Sequence, residues 1–253
     1  MQRVPCSSRT AKKCSRLAFL AVAAVTLSTF GAPGKISTEF AQCKHFFPAH
    51  LPPIVAEAPL LRELCFSDFA VLHSGGTKTP VFVAQRLSRH SLQQAAALRR
   101  PKHFYAEARL PSEERAELPD YHGSGYSRGH MAPAGDMGTR EGKAQTFSLA
   151  NMAPQDTELN GGAWNTIEQD TRKYALRAAG TIHVFTGPVY SAPVRTMGPG
   201  NVHIPQHFYK LVYDPSTGRS WAHWQDNTPQ RKVNAPISYK ELVERTGIEF
   251  IPR

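Results

Sequence analysis

Apolar and polar residues alternate along several short stretches of the chain, a pattern that predicts β-strands with one buried face. The stretches 69–73 and 80–87 flank a glycine-containing turn and predict a β-hairpin with a longer loop. Further strands are predicted at 147–152, 181–189, 207–214 and 221–225. Neighbouring strands joined by turns pair antiparallel, so the sheet should be mostly antiparallel.

Two helices are predicted among these strands. One begins near Asn160 and continues to about Ala179, where Gly180 ends it. The other covers residues 237–247 and ends at Gly247. Strands joined by hairpins, with few helices, predict one α+β domain that has a central, mostly antiparallel β-sheet flanked by helices.

The first 31 residues have the layout of an export signal. A basic region ends at Arg16, and an apolar run follows at 17–27. The run is shorter than the roughly 20 residues of a membrane span and fits the roughly 7–15 of a signal peptide. Phe30 and Pro33 disturb the small-residue pattern of a cleavage site, so an uncleaved anchor is the alternative. A transit peptide is less favoured because the run is continuous rather than amphipathic.

Residues 1–31, which we call the leader, determine the expected location and the first domain boundary. A cleaved signal predicts a secreted or periplasmic protein, whereas an uncleaved one would anchor the chain to a membrane by its N-terminus. No other stable membrane association is expected. Residues 32–64 contain prolines that break any long element, so an irregular segment is expected there. The main domain is predicted at 65–253.

The chain is basic, which is compatible with a negatively charged partner. Its 253 residues carry a formal net charge of +10, and 41% are hydrophobic, enough for an ordinary core. Five basic residues stand in the first 16 positions with no acid among them, which leaves +5 for the rest. This excess fits a polyanionic partner, and a basic surface without such a partner fits it equally well.

The four cysteines separate into two pairs. Cys6 and Cys14 lie within the leader, while Cys43 and Cys65 lie beyond it. In an exported chain the second pair predicts a disulfide that closes a loop of about 20 residues and stabilises the fold by roughly 3 kcal/mol. Two unpaired buried thiols are the alternative. No CxxC sequence is present, so zinc held by cysteine is not indicated.

Candidate chemistry is concentrated between residues 124 and 168, where polar side chains stand among glycines and prolines. His130 is a candidate general base because the unperturbed pKa of histidine is about 6.5. Gly129 permits close approach of backbone or substrate. Arg128 offers a fork of donors that suits phosphate. A lone histidine is usually structural, but the neighbouring Arg128 and Gly129 favour a functional role for His130.

Three more side chains here have both a structural and a functional interpretation. Asn160, at the predicted helix start, either caps the helix or offers its carbonyl oxygen to Mg²⁺. Glu168, eight residues further on, is either an exposed carboxylate or a contact to water around that metal. Asn151 either caps a turn, orients His130 or binds phosphate. Together these residues predict a metal site that cleaves phosphodiester bonds.

Taken in order, these motifs resemble the DNA/RNA non-specific endonuclease family, in the Serratia-nuclease-like branch of the ββα-metal nucleases. Residues 127–137, which read SRGHMAPAGDM, resemble the family's Asp-Arg-Gly-His motif and its Ala-Pro element. Asn151 stands before a Pro-Gln pair, as the family's asparagine does. Asn160 and Glu168 resemble its metal-binding helix start. The resemblance extends over about residues 66–250.

The resemblance implies a role for each residue. His130 would be the general base, and Asn160 would be the sole direct protein ligand of Mg²⁺, with Mn²⁺ left open as the metal. Glu168 would hold water around that metal. Arg128 and Asn151 would support the phosphate and the site geometry. The implied fold places His130 and Asn160 on a ββα-metal finger beside a central antiparallel sheet.

At two further positions the sequence offers a choice or departs from the family. The family has a further arginine upstream, and Arg100 is the first choice for it, with Arg99 nearly as good. Both, like Arg128, are candidates for binding nucleic acid. Ser127 stands where the family has aspartate. That aspartate is not the base, so serine is compatible with activity, but the local hydrogen bonding and charge must differ.

The resemblance implies an exported, Mg²⁺-dependent endonuclease that cuts DNA and RNA without strong sequence specificity and leaves 5′-phosphate ends, with its endonuclease domain at 65–253. One alternative is a nucleic-acid-binding protein on the same fold with weakened catalysis, against which the intact His130, Asn160 and Glu168 argue. Another is a phosphodiesterase for small substrates, whose binding would lack the steep salt dependence of DNA binding. A homodimer is also left open.

Overall fold

The computed structural model describes residues 34–252, which belong to one compact unit, Pro33–Arg253. The predicted signal peptide, at residues 1–31, lies outside the described residues. The strands are β1 (Lys35–Ser37), β2 (Ile54–Ala56), β3 (Leu61–Cys65), β4 (Phe69–Ser74), β5 (Thr79–Leu87), β6 (Ser127–His130), β7 (Met152–Gln155), β8 (Ile182–Val189), β9 (Arg195–Met197), β10 (Val202–Ile204), β11 (His207–Asp214) and β12 (Arg219–Asp226). The α-helices are α1 (Arg89–Ala97), α2 (Leu118–Tyr121), α3 (Arg140–Gln145), α4 (Thr157–Leu159), α5 (Asn165–Arg177) and α6 (Tyr239–Thr246).

Six strands form the central sheet in the order β12-β11-β8-β5-β4-β3, and every neighbouring pair is antiparallel. The predicted hairpin is present as β4–β5, and the strands predicted at 207–214 and 221–225 pair as a second hairpin, β11–β12. The predicted α+β class with a central antiparallel sheet is therefore confirmed. Within the described range, no helix has both the length and the apolar character that crossing a membrane requires.

Both faces of the sheet are buried, and consecutive residues of β5 show this. Phe82 faces an aromatic core that also contains Phe185 and Phe250. Val83, the next residue, faces the opposite side and belongs to the same apolar cluster as Trp164. Because side chains alternate between the two faces, a strand buried on both sides reads as a nearly continuous apolar run.

One long segment covers the Trp164 face of the sheet. β5 and β8 are hydrogen-bonded neighbours, with Leu87 opposite Ile182. The chain between them, residues 88–181, leaves the sheet and returns to it, and it contains α1 to α5 together with β6 and β7. We call this segment the connection.

The segment 32–64, expected to be irregular, contributes regular structure and part of the core. It contains β1, β2 and most of β3, which is an edge strand of the central sheet. Phe40 and Phe47 are buried in the aromatic core. The predicted disulfide is present between Cys43 and Cys65, whose Cα atoms lie 5.8 Å apart, and it links the loop after β1 to the last residue of β3.

The strand predicted at 147–152 is displaced along the chain. A 3-10 turn, Leu149–Asn151, comes first, and β7 follows it. Pro154 lies within β7, opposite Arg128, although proline is uncommon inside a strand. Because β6 and β7 form a sheet of only two strands, an outward edge is available for a residue without an N–H group.

Candidate active site

The predicted ββα unit is formed by β6, β7 and the helical segment that follows β7. β6 ends at His130, and the helical segment carries Asn160. The two strands are not a tight hairpin, because residues 131–151 lie between them. Gly129 makes the pairing possible, since a Cβ at this position would lie 2.5 Å from Oε1 of Gln155.

Asn160 lies in a π-helical turn, Asn160–Trp164, and not at the start of a helix. The helical segment is capped instead by Asp156, whose carboxylate accepts hydrogen bonds from two N–H groups of α4 at 2.9 and 3.0 Å. The backbone then kinks at Gly162 (φ −104°, ψ −106°) before α5 begins. The capping interpretation of Asn160 is therefore wrong, and π-turns of this kind are frequent at functional sites.

A cleft of about 520 Å³ opens beside β6 and the π-helical turn. Five of the predicted site residues line it: Arg100, Arg128, His130, Asn160 and Glu168. The other residues of its wall are Phe104, Tyr121, Tyr126, Ser127, Pro133, Ala134, Gly161 and Asn165. Neither Arg99 nor Asn151 belongs to the wall, so the structure favours Arg100 as the upstream arginine.

His130 is nearly buried, with 8% of its surface exposed. Its ring packs against Phe104 and Phe147, at centroid distances of 5.7 and 5.2 Å. Burial lowers the pKa of His130 to about 3, with a smaller contribution from the charges of Arg100 and Arg128. Its Nε2 has no hydrogen-bond partner among the described residues. At neutral pH the imidazole is therefore uncharged, as a general base must be before it accepts a proton.

Two arginines present unpaired positive charge to the cleft. The guanidinium carbon of Arg128 lies 4.3 Å from the ring centroid of Phe104, and that of Arg100 lies 5.3 Å from the centroid of Phe147. Neither arginine forms an ion pair within residues 34–252. Stacking on a ring orients a guanidinium group and leaves its N–H donors available, which suits a phosphodiester.

Asn160 and Glu168 supply oxygen atoms to the same cleft. Neither side chain has a hydrogen-bond or ion-pair partner in the described part of the chain. Burial raises the pKa of Glu168 to about 7, and the charge of Lys210 partly opposes this increase. An amide oxygen, a carboxylate and room for water fit Mg²⁺, which accepts oxygen donors and retains several waters. The residues present therefore fit such a metal.

Asn151 lies behind the cleft and is fully buried. Its side-chain NH₂ group donates to the carbonyls of Ala132 and Thr146, both at 2.9 Å. Its side-chain oxygen accepts from the N–H of Ala132, also at 2.9 Å. Both donors are used, so none is left for phosphate. The side chain instead fixes the backbone two residues after His130.

Ser127, at the family's aspartate position, lines the cleft and links two elements of the ββα unit. Its hydroxyl lies 3.1 Å from the hydroxyl of Thr157, so β6 is joined to α4 by a hydrogen bond between neutral groups.

Sequence reasoning missed a polar network beneath the site. The carboxylate of Asp136 accepts hydrogen bonds from Nε2 of Gln85 (2.7 Å) and Nη1 of Arg172 (2.8 Å). Lys210 is buried and donates to a hydroxyl on β8 at 2.7 Å. The available signal was Arg172, which follows Glu168 by four residues and so shares its helix face.

The antiparallel sheet, the ββα unit and the cleft together have the architecture of the ββα-metal fold. The chain belongs to the DNA/RNA non-specific endonuclease family, which matches residues 56–252. The resemblance inferred from the sequence is therefore confirmed.

Three relatives illustrate the extent of this similarity. Nuclease 1, mitochondrial, of Schizosaccharomyces pombe is 31% identical over 201 residues, which cover 69% of this chain and 61% of that protein. Nuclease EXOG, mitochondrial, of Homo sapiens is 32% identical over 159 residues, 58% of this chain and 43% of that protein. Nuclease C1 of Cunninghamella echinulata var. echinulata is 31% identical over 168 residues, 59% of this chain and 66% of that protein. The chain thus spans less than two thirds of the length of each.

A solved structure of the EndoG/EndoGI complex contains a similar fold. It matches with a TM-score of 0.72 and 24% identity over 84% of this chain and 91% of that chain. At this identity the likeness concerns the fold alone.

The predicted secreted or periplasmic location is contradicted by the relatives. Nuclease 1 of Schizosaccharomyces pombe, human Nuclease EXOG and Endonuclease G of Caenorhabditis elegans are all mitochondrial by name. The continuous apolar run at 17–27 was the ground for preferring export to a transit peptide, but the basic, acid-free start before it is common to export signals and mitochondrial transit peptides. That pattern therefore did not separate the two destinations.

Proposed function

We propose that this chain is an endonuclease that hydrolyses phosphodiester bonds of DNA and RNA without strong sequence specificity. The observation that carries the proposal is the content of one cleft: an uncharged histidine, together with two arginines and two oxygen-bearing side chains that have no ion-pair partner among residues 34–252. Phosphodiester hydrolysis needs a base, cations for the phosphate and a metal-binding group, held in line with one another.

The protein side chains divide this work among them. Arg100 and Arg128 bind and orient the phosphate, because a guanidinium group can donate two parallel hydrogen bonds to its oxygens. His130 takes a proton from the attacking water at a ring nitrogen. The water oxygen bonds to phosphorus as the bond between phosphorus and the 3′ oxygen breaks. The leaving oxygen takes a proton from solvent, so the products carry 5′-phosphate and 3′-hydroxyl ends.

Asn160 and Glu168 are the residues that would hold Mg²⁺, the first directly through its amide oxygen and the second through water. When bound, Mg²⁺ supplies electrostatic stabilisation of the charge that develops on the phosphate and on the leaving oxygen. A metal that prefers oxygen is proposed because both side chains offer oxygen, and Mn²⁺ accepts the same donors.

Cleavage of a supercoiled plasmid and of a long RNA tests metal dependence. We expect nicking and then linearisation of the plasmid, and degradation of the RNA, when Mg²⁺ or Mn²⁺ is added to metal-free protein. Neither reaction should occur in excess chelator. Full activity in excess chelator would end the metal assignment.

His130→Ala separates catalysis from binding. The single-turnover cleavage rate should fall by about 10²–10⁴-fold, the usual effect of removing a general base. DNA affinity, measured by fluorescence anisotropy at two salt concentrations, should be close to parental because phosphate contacts come from other groups. A parent protein that binds DNA but never cleaves it would support the binding-protein alternative. A variant that cleaves at the parental rate would remove His130 from the mechanism.

A further inference from the structure

The loop that follows β12, residues 227–231, contacts the segment that carries Asn160 through Asn227 and Gln230, and we call it the brace loop. Arg231, at its end, adds an exposed ion pair with Glu158 at 3.5 Å. The brace loop does not belong to the connection, and none of its residues lines the cleft. It is therefore a part of the chain from the far edge of the central sheet that reaches the back of the site.

Asn227 makes the first contact. It is 7% exposed, and its side-chain oxygen accepts a hydrogen bond from the N–H of Asp156 at 2.7 Å. Its NH₂ group donates to the carbonyls of Pro154 (3.0 Å) and Pro205 (2.9 Å). One side chain thus joins the end of β7 and the cap of α4 to the residue pair that precedes β11. All three partners are backbone groups, so the contact fixes the path of the chain itself.

Gln230 makes the second contact. The N–H of Ala163, within the π-helical turn, donates to the carbonyl of Gln230 at 3.3 Å. At Gly162 a Cβ would lie only 2.9 Å from the same carbonyl oxygen, so the absence of a side chain permits the approach. The π-helical turn therefore receives a hydrogen-bond partner from outside its own helix.

We infer that the brace loop positions the candidate metal ligand, and that Asn227 is a positioning residue. Asn160 stands between the two contacts along the chain, so the backbone is held on both sides of it. β7 also pairs with β6, which carries His130, so holding the end of β7 fixes the ligand relative to the base. The inference rests on the metal role of Asn160 in the proposed function.

Binding of Mn²⁺ to metal-free full-length protein, followed by the electron paramagnetic resonance of free Mn²⁺, tests this without cleavage. Asn227→Ala and Gly162→Ala should each weaken binding by about 10–100-fold, as is typical when support of a metal ligand is removed. Asn234→Ala is the matched control. It removes an amide that donates to the carbonyl of Trp224 at 3.1 Å, on the same stretch of chain, and it should bind Mn²⁺ as the parent does.

Amide hydrogen exchange of the metal-free protein gives an independent measurement. In Asn227→Ala, exchange should accelerate at residues 156–164, while β5 and β8 keep their parental protection. This pattern would show local loosening of the turn in a protein that is otherwise folded. Parental exchange at 156–164 would overturn the inference.

Asn160→Ala distinguishes failure of this inference from failure of the proposed function. Weak Mn²⁺ binding in Asn160→Ala, with parental binding in Asn227→Ala, would overturn the brace inference and leave the proposed function intact. Parental Mn²⁺ binding in Asn160→Ala would overturn the metal role, and the inference that depends on it. Weak binding in both variants, with faster exchange in Asn227→Ala, is the expected result.

Discussion

At the scale of single residues, the burial of His130 has a thermodynamic consequence. Its pKa is about 3 in the folded chain, whereas an unfolded histidine has a pKa of about 6.5. Between these two pH values the unfolded chain binds a proton that the folded chain does not. The free energy of unfolding therefore falls as the pH decreases through this window, and it rises again as the pH is restored.

We predict that His130→Ala makes the fold less sensitive to acid. From pH 7 to 4.5 the parent should lose about 2–3 kcal/mol more of its free energy of unfolding than the variant does, because the variant has no buried imidazole to protonate. Urea denaturation of metal-free protein at both pH values measures the two losses, and their difference cancels the other titrating groups. Equal losses would mean that this imidazole titrates as if exposed to water.

Ser127→Ala should retain most of the cleavage activity. The change removes one exposed hydrogen bond to Thr157, worth about 0.5–1.5 kcal/mol, and no step of the proposed chemistry uses the hydroxyl. Ser127→Asp should also be active, because a carboxylate can accept a hydrogen bond from the same hydroxyl. Single-turnover rates at saturating Mg²⁺ give the comparison, with His130→Ala as the reference. A loss in Ser127→Ala as large as the reference loss would mean that the base has been misassigned.

At the scale of elements, alternation predicted the strands whose partners are close in sequence and missed several others. β4 and β5 form the predicted hairpin because each strand and the turn between them are locally encoded. β1 pairs with β2 across the 3-10 turns at Lys44–Phe46 and Pro48–His50, and a local pattern does not reveal that pairing. The prolines rule out long elements there but leave room for strands of three residues.

In the candidate site, too, the features encoded by a local motif were predicted and those that depend on distant contacts were missed. The motif residues His130 and Asn160 do meet at one cleft, because the motif encodes strand, turn and helix in order. The π-helical turn could not be predicted, because one of its N–H groups, that of Ala163, donates to a carbonyl of the brace loop, which is distant in sequence. The role of Asn151 was also hidden, since its hydrogen-bond partners become neighbours only after β6 and β7 pair.

Replacing Cys43 and Cys65 together by serine should lower the free energy of unfolding by about 2–4 kcal/mol, because the disulfide closes a loop with a sequence separation of 22. Cleavage under native conditions should be near parental, since neither cysteine lines the cleft. Thermal unfolding with and without a reductant is the measurement. Reductant should destabilise the parent and leave the double variant unchanged, and equal stability of the two proteins would contradict the prediction.

At the scale of the whole molecule, the net charge of +10 and the arginines of the cleft predict binding that weakens steeply with salt. In a His130→Ala background, Arg100→Ala and Arg128→Ala should each reduce the slope of log affinity against log salt by about one, because each removes a phosphate contact. Arg99→Ala is the matched control, since it removes the same charge outside the cleft wall. Equal slopes for Arg99→Ala and Arg100→Ala would show that overall charge, and not the cleft, determines binding.

The placement of the connection has a consequence for how such a protein can evolve. Every residue of the cleft wall lies within residues 88–181, between two strands that are hydrogen-bonded to each other. The register of β5 and β8 is set by their own pairing, so it does not depend on the length or content of what lies between them. Mutations, insertions and deletions in the exposed loops of this one stretch can reshape the cleft and alter its range of substrates, while the pairing of β5 with β8 keeps its register.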